Sequence, residues 1–200
     1  APAGLFVQGS LPGNGPAAAI VGARNCSYYG ASMARNLGQV LTEAGIQVIS
    51  GLAKGIDAAA HEGALLGCRE TGLGFGVLGC GIDVVYPAQN RKLYEAVAAC
   101  GGILSEYPPG LRPFAANFPA RNRIISGLSD GVTVVEADTR SGSLIAASCA
   151  LEQGKMVYAI PGAVNDALSR GCHKLIYDGA GIAYSPEILL DEWGLSVKKM

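Results

Sequence analysis

Short apolar runs alternate with longer segments of helical character along most of the chain. The segments 30–45 and 56–68 have the composition and spacing of helices, and 181–185 predicts a further edge strand. Continuously apolar strands that alternate with helices are typical of a parallel sheet covered on both faces, so the pattern predicts a doubly wound α/β fold. The buried strands are predicted at 17–23, 46–51, 74–79, 101–106, 131–137 and 155–161.

Composition supports a globular chain and restricts its partners. The chain has 200 residues, of which 50% are hydrophobic and 16% charged, and this length predicts a single domain over 1–200. The formal net charge of −1 excludes a polybasic nucleic-acid coat. A local basic pocket remains compatible with it, because the potential in a cleft depends on where charges cluster. No apolar run of membrane length and no signal peptide is found, so we expect a cytoplasmic protein.

The cysteines and acidic residues do not indicate a cofactor. The six cysteines are scattered without a C-x-x-C pair, which predicts buried thiols in a reducing compartment rather than disulfides. Glu136 and Asp138 are better interpreted as partners of arginines than as metal ligands. Asp57 and His61 lie one helical turn apart, but no nucleophile accompanies them, so a packing or capping contact is favoured over a catalytic dyad. We expect neither a metal nor a cofactor.

Basic and glycine-rich loops follow several of the predicted strands. Arg24, Lys54 and Arg140 each follow a strand, and Lys174 lies farther along after the strand at 155–161. Ligands of doubly wound sheets bind at the carboxyl ends of the strands, where glycines let backbone amides approach an anion. The loops therefore predict a phosphate site at this edge. The alternative is a set of structural turns with solvated cations and capping serines.

The segment FPARNRIISGLS, residues 118–129, places Arg121, Asn122 and Arg123 directly before an apolar run that predicts a buried helix. Two arginines at such a helix start either solvate it or hold an anion. At the amino-terminal edge of the helix both would reach the rim of the cleft, and we expect them to contact phosphates. Phe114 and Phe118 either stack nucleobases beside this basic cleft or pin a proline-rich loop to the core.

Seven motifs in a fixed order resemble one protein family over residues 5–184. They are VGARNCSYYG, ISGLAKGIDAAAHEGAL, VLGCGIDVVYPAQN, GGILSEYPPG, FPARNRIISGLSDGVTVVEA, RSGSLIAASCALEQGK and AIPGAVNDALSRGCHKLIYDGA. In this order they closely resemble the Rossmann-like core domain of the DprA/Smf family of DNA processing proteins. The resemblance implies a bacterial, cytoplasmic single-stranded DNA-binding protein of natural transformation (competence) that protects the strand and loads a RecA-type recombinase. It also implies a homodimer, and the helical and winged-helix-like domains of many relatives are not expected within 1–200.

The resemblance also implies a set of DNA-binding residues. The family's basic pocket falls on Arg24, Lys54, Arg121 and Arg123, with a further cation at Lys174. Independently of the resemblance, the position of Asn122 between the two arginines predicts that its amide bridges to a backbone group or a base edge. Backbone and hydroxyl contacts to DNA are implied for Gly22, Gly51, Gly55, Ser141, Gly142 and Ser143.

Two other functions compete with this interpretation. A nucleotide-hydrolysing enzyme of similar architecture, such as a phosphoribohydrolase, would need polar catalytic residues where this chain has Leu144 and Ile145. The sequence therefore favours a binding protein over an enzyme. A sensor that binds a nucleotide signal in the same pocket would show thermal stabilisation by its ligand.

Overall fold

The computed structural model describes residues 1–68 and 73–192, and its strands form a single sheet. All seven strands predicted from the sequence are found, the last of them as a short edge strand near residue 181. Their bounds, preceded by a strand that was not predicted, are β1 Phe6–Gly9, β2 Ala17–Val21, β3 Gln47–Ser50, β4 Gly74–Leu78, β5 Gly102–Ser105, β6 Gly131–Val134, β7 Met156–Ala159 and β8 Gly181–Ile182.

The strand order confirms the doubly wound fold. It runs β1-β5-β4-β3-β2-β6-β7-β8, with every neighbouring pair parallel except β1 and β5. From β2 the chain first adds β3, β4 and β5 on one side, and then returns to add β6, β7 and β8 on the other. The sheet therefore changes winding direction between β2 and β6, which is the point where ligands of such sheets bind.

Strand β1 was not predicted from the sequence. It pairs antiparallel with β5 at the sheet edge, and all four of its residues are exposed. Since all four stay exposed, they show neither the alternation nor the continuous apolar run by which strands are recognised.

Helices cover both faces of the sheet. Ser27 caps the first helix by accepting a hydrogen bond from the Gly30 amide at 3.0 Å, and Gly45 closes the turn after it with a φ of +82°. The predicted helices at 30–45 and 56–68 are thus confirmed with shifts of two residues or fewer. The helices are α1 Tyr28–Glu43, α2 Ile56–Gly67, α3 Arg91–Cys100, α4 Asn117–Gly127, α5 Ser143–Glu152, α6 Arg170–Tyr177 and α7 Pro186–Glu192, with 3-10 turns at Ala88–Asn90 and Ala167–Ser169.

Successive residues of β2 point into two different cores. Ala18 and Ile20 pack in a core formed with α1, α2 and α7, whereas Ala19 and Val21 pack in a core formed with α4, α5 and α6. This alternation explains why β2 is apolar at every position, since both of its faces are buried. No helix in the described ranges has both the length and the apolar character needed to cross a bilayer.

The cysteines follow the sequence prediction only in part. None of the six forms a disulfide, as expected. Cys80 and Cys172 are buried, but the other four are half-buried, so the predicted burial is wrong for most of them.

Candidate nucleic-acid interface

A cavity of about 940 Å³ opens at the carboxyl ends of the strands, at the change of winding direction between β2 and β6. The loop after β2, the first two turns of α4 and the loop before α5 form its walls. A loop that precedes α4, residues 112–115, forms part of its rim. The phosphate site predicted from the sequence was expected at this edge.

The structure brings seven of the twelve predicted site residues to the cavity and leaves five outside it. The seven that line it are Gly22, Arg24, Arg121, Asn122, Ser141, Gly142 and Ser143. The five that do not are Gly51, Lys54, Gly55, Arg123 and Lys174.

Arg24 and two aromatic rings form one wall. The Arg24 guanidinium carbon lies 5.1 Å from the centre of the Phe118 ring, and the Tyr86 ring lies 5.4 Å from Phe118 on centroids. A cation over an aromatic face is attracted by the ring quadrupole, which fixes the guanidinium near the rings. Arg24 is exposed and has no carboxylate within ion-pair distance in the described part of the chain.

Two further arginines line the cavity. Arg140 follows β6 and was noted in the sequence at this edge, whereas Arg112 in the proline-rich loop was not identified. Both are exposed, and neither forms an ion pair within residues 1–68 and 73–192. Arg112 was missed because only the folded structure shows that the 112–115 loop lies over the cavity. The one signal in the sequence was the Arg-Pro-Phe segment close to the predicted basic cleft.

The amino terminus of α5 forms the opposite wall. Ser143 begins this helix, and its hydroxyl lies 2.8 Å from the hydroxyl of Ser141. The side-chain amide of Asn122 donates to the Gly142 carbonyl at 3.1 Å, so Asn122 bridges to a backbone group as predicted. The free amides of a helix amino terminus carry partial positive charge and bind anions.

The floor of the cavity holds a buried charge. Arg121 is 4% exposed, and its Nη1 donates to the Val77 carbonyl at 2.8 Å. Its Nε has no hydrogen-bond partner among the described residues. Helix α4 begins at Asn117, so the prediction that Arg121 and Arg123 lie at its amino-terminal edge is wrong. They lie inside the helix, where two residues of separation turn their side chains to different faces.

Gly51 gives the Arg121 guanidinium the space it occupies. A Cβ at position 51 would lie 1.9 Å from Arg121 Nη1 and 2.5 Å from Asp57 Oδ2. The guanidinium and the carboxylate therefore lie next to each other on the same side of the Gly51 backbone, and no larger residue fits there. Gly51 thus packs against these two protein groups, although the sequence suggested that its backbone contacts DNA.

Asp57 and His61 lie behind Arg121. The amides of Gly51 and Ala53 hydrogen-bond to the Asp57 carboxylate, while burial raises the pKa of this carboxyl and the nearby Arg121 charge opposes that rise. His61 is fully buried without a hydrogen-bond partner in the described ranges, and burial lowers its pKa to about 4. The capping contact suggested between Asp57 and His61 is therefore wrong, and His61 is a neutral packed side chain.

Gly55 and Lys54 support the cavity from outside. Gly55 has a φ of +75°, and a Cβ there would lie 2.3 Å from the Ala23 carbonyl oxygen. It therefore lets the start of α2 approach the turn that carries Arg24. Lys54 is exposed next to this contact, and the adjacent Ala53 lines the cavity.

The two remaining predicted cations are paired with carboxylates. Arg123 Nη2 lies 2.6 Å from both Glu106 oxygens, and Lys174 Nζ lies 2.7 Å from both Asp178 oxygens. Both pairs are partly exposed and lie outside the cavity. An anion would have to replace these carboxylates before it could bind either cation.

The acidic residues near the α5 turn have other partners. Glu136 accepts hydrogen bonds from the Ser27 amide at 2.8 Å and the Ser27 hydroxyl at 2.5 Å, so it holds the start of α1. Asp138 accepts from the Thr139 amide. Among the described residues neither forms the ion pair with an arginine that was suggested from the sequence. Within the described residues, no group of three or more His, Cys, Asp and Glu side chains is arranged to hold a metal ion.

The fold and the site define a doubly wound α/β protein whose cavity combines arginines without ion-pair partners among the described residues, a helix amino terminus and two neighbouring aromatic rings. The family model described as DNA recombination-mediator protein A matches residues 1–194. The chain belongs to this family, whose curated members include the DprA and Smf proteins of DNA processing.

The relatives share this chain but extend beyond it. DNA processing protein DprA of Streptococcus pneumoniae is 46% identical over 194 residues, which are 96% of this chain and 67% of that protein. Protein Smf of Escherichia coli is 45% identical, over 95% of this chain and 50% of that protein. The chain therefore spans about half to two thirds of the length of these relatives.

Solved structures agree with the fold. The X-ray structure of the Streptococcus pneumoniae protein superposes with a TM-score of 0.86 at 45% identity, covering 94% of this chain and 65% of that one. A Helicobacter pylori DNA processing protein A superposes with a TM-score of 0.86 at 30% identity, covering 96% of this chain and 87% of that one. That structure describes a single-stranded DNA binding mode. A molybdenum cofactor binding protein of Rippkaea orientalis, at 22% identity and a TM-score of 0.62, shares the fold alone.

Proposed function

We propose that this chain binds single-stranded DNA in the cavity between β2 and β6, without making or breaking covalent bonds. The observation that carries the proposal is the set of three unpaired arginines around the cavity, Arg24, Arg112 and Arg140, beside the Phe118 and Tyr86 rings. The single-stranded DNA binding mode described for the Helicobacter pylori relative supports it.

One phosphate would occupy the amino terminus of α5, where the Ser141 and Ser143 hydroxyls and the helix amides converge. Arg24 and Arg140 would neutralise this phosphate or its neighbours, and an adjacent base would stack on Phe118. A duplex keeps its bases paired and stacked on each other, so it cannot place one on that ring. Single strands should therefore bind more tightly than duplex at equal salt.

The remaining predicted site residues have a secondary part in the proposal. The backbone of Gly22 and Gly142 would approach the strand, and Lys54 would reach it along the rim. Arg123 and Lys174 would contribute only where DNA displaces Glu106 and Asp178. Gly51 and Gly55 would act indirectly, by packing the floor and the Arg24 turn.

The wider role follows from family membership. As a member of a recombination-mediator family, the protein would protect incoming single strands and load a RecA-type recombinase onto them, in natural transformation or a related process. Such a role would place it in the bacterial cytoplasm. We further propose a homodimer, for which the exposed apolar side chains of α5, Ile145 and Leu151, are a candidate contact surface.

The test is fluorescence anisotropy of a labelled oligo-dT at two salt concentrations. The double variant Arg24→Ala with Lys54→Ala should abolish salt-sensitive binding, because it removes one cavity cation and one rim cation. Arg35→Ala is the matched control for Arg24→Ala alone: each removes one cation, but Arg35 pairs with Glu62 on the outer surface of α1 and α2. For the wild type, the slope of log affinity against log salt should be about −0.7 for each phosphate contacted.

Other results would favour a different function. Equal affinity for duplex and single strand at matched salt would contradict the stacking of unpaired bases. If oligo-dT does not bind even at low salt, thermal stabilisation by mononucleotides would indicate a nucleotide sensor or a nucleotide-hydrolysing enzyme instead. Loss of binding in Arg35→Ala would show that affinity depends only on net charge, and it would contradict DNA binding in the cavity.

A further inference from the structure

Two cysteine thiols lie side by side at the end of the molecule opposite the cavity. Cys68 caps the carboxyl end of α2, and Cys100 is the last residue of α3. In the chain α2 is followed by β4 and α3 by β5, two parallel strands, so the carboxyl ends of both helices lie at the amino edge of the sheet, away from the carboxyl ends that form the cavity. The Cys100 thiol donates a hydrogen bond to Cys68 Sγ over 2.8 Å, and both residues are half-buried.

From this pair we propose a redox modification site: Cys68 and Cys100 form an intramolecular disulfide when the protein meets a small disulfide such as oxidised glutathione. The sulfur atoms of a disulfide are about 2.05 Å apart, so these two need to approach by only about 0.8 Å. The two residues end helices α2 and α3, which contact each other, so the sulfurs already lie at one junction of the fold.

The hydrogen bond assigns different roles to the two sulfurs. Burial raises the pKa of the Cys100 thiol to about 12, and its hydrogen bond to Cys68 and the Cys68 charge add to this rise. Cys100 thus stays protonated and acts as the donor, and Cys68 Sγ is the sulfur that accepts the hydrogen bond. Cys68 is therefore the attacking sulfur, because the thiolate is the nucleophile in thiol–disulfide exchange.

The exchange takes place in two balanced steps. The Cys68 thiolate attacks one sulfur of oxidised glutathione, forms a mixed disulfide and releases one glutathione thiolate. The Cys100 sulfur then attacks the Cys68 sulfur as its proton leaves to solvent, and a second glutathione thiolate departs. Two protein thiols are oxidised, and one glutathione disulfide is reduced to two glutathione molecules.

The experiment treats the 200-residue chain with oxidised glutathione and reads intact mass, tryptic peptides and thermal unfolding. The proposal expects a loss of two hydrogens, a cross-linked peptide pair containing Cys68 and Cys100, and a higher unfolding temperature that the reductant dithiothreitol reverses. The cross-link should stabilise the fold because it restricts the unfolded chain between these positions. Cys100→Ser should instead retain one glutathione on Cys68.

Cys149→Ser is the matched control, since Cys149 is also a half-buried cysteine at a distance from this pair. It should form the cross-link as the wild type does. Stable glutathione adducts on the wild type without the cross-link, a cross-link between other cysteines, or unreacted thiols at both positions would each overturn the proposal.

Discussion

Basic side chains at the cavity and on the outer surface of the molecule differ in their partners. The cavity arginines Arg24, Arg112 and Arg140 have no carboxylate within ion-pair distance in the described part of the chain. Three basic residues outside the cavity are paired: Arg35 with Glu62, Arg123 with Glu106 and Lys174 with Asp178. A paired cation adds little to the local potential, so a chain of net charge −1 can still present one positive cavity.

This difference separates two uses of the same residue type. An exposed ion pair contributes about 0–1 kcal/mol to stability and leaves little charge to attract a ligand. An unpaired arginine beside an aromatic ring can bind an anion without first breaking an ion pair, and contact with the ring restricts the motion of its side chain. Charge pairing, which the sequence does not reveal, therefore argues against Arg123 and Lys174 as binding cations, whereas exposed cations outside the cavity such as Arg91 and Lys92, which form no ion pair within the described residues, show that position at the cavity is needed as well.

The largest effect on stability should come from Arg121, the buried arginine at the floor of the cavity. Arg121→Met removes the guanidinium that faces the buried Asp57 and the donor to the Val77 carbonyl. The buried carboxylate then lacks its counter-charge, so the free energy of unfolding should fall by about 3–5 kcal/mol. Urea unfolding measures this change. Arg35→Met, the surface control, should cost less than about 0.5 kcal/mol.

A double-mutant cycle sharpens the result. Asp57→Asn added to Arg121→Met removes the buried charge, so the pair of substitutions should cost less than the sum of the two single ones. Additive losses would mean that Arg121 and Asp57 do not interact, and the floor of the cavity would then be held by packing alone.

Lowering the pH should weaken the same buried region through His61. Its pKa lies near 4 in the folded chain, compared with 6.5 for an ordinary histidine. Below pH 6.5 the unfolded chain binds a proton that the folded chain does not, so stability falls as pH decreases from 6.5 to 4. The loss should be about 3 kcal/mol.

His61→Leu removes the titrating group without adding a larger side chain. The variant should therefore lose less stability than the wild type between pH 6.5 and pH 4, as measured by urea unfolding at several pH values. Identical pH profiles would show that His61 is protonated in the folded protein, in conflict with its burial.

The aromatic wall should affect binding without changing charge. Phe118→Ala removes the ring on which a base would stack, so affinity for oligo-dT should fall by about 2 kcal/mol, or roughly 30-fold. Phe114→Ala is the control, since Phe114 is 66% exposed and does not line the cavity. An equal loss in both variants would favour a general loop effect over base stacking.

Most of the fold could be predicted because burial on both faces leaves a clear pattern. Strands such as β2 are apolar throughout, and alternation with helices restricts the topology to a doubly wound sheet. Strand β1 was missed because its exposure at the sheet edge removes that pattern.

The site was predicted in outline for a related reason. Loops after parallel strands meet at one edge, which places Arg24 and the serines before α5 together. Whether a cation there is free or paired depends on contacts between distant segments, such as that of Arg123 with Glu106, and these contacts leave no local signal. The inclusion of Arg112 likewise depends on how its loop folds over the cavity.

The smallest effect is expected at Arg123. The family resemblance assigns this residue to DNA binding, whereas its ion pair with Glu106 indicates that it is not available for DNA. Arg123→Ala should change oligo-dT affinity by less than about twofold, because its guanidinium is held by both Glu106 oxygens and lies outside the cavity. Glu106→Gln weakens that pair and frees the arginine. If DNA competes with Glu106 for Arg123, this second variant should bind more tightly and with a steeper salt dependence, by about 0.7 in slope for one added phosphate contact. A tenfold loss in Arg123→Ala, comparable with removal of a cavity arginine, would show that pairing in the free protein does not determine which cations bind DNA.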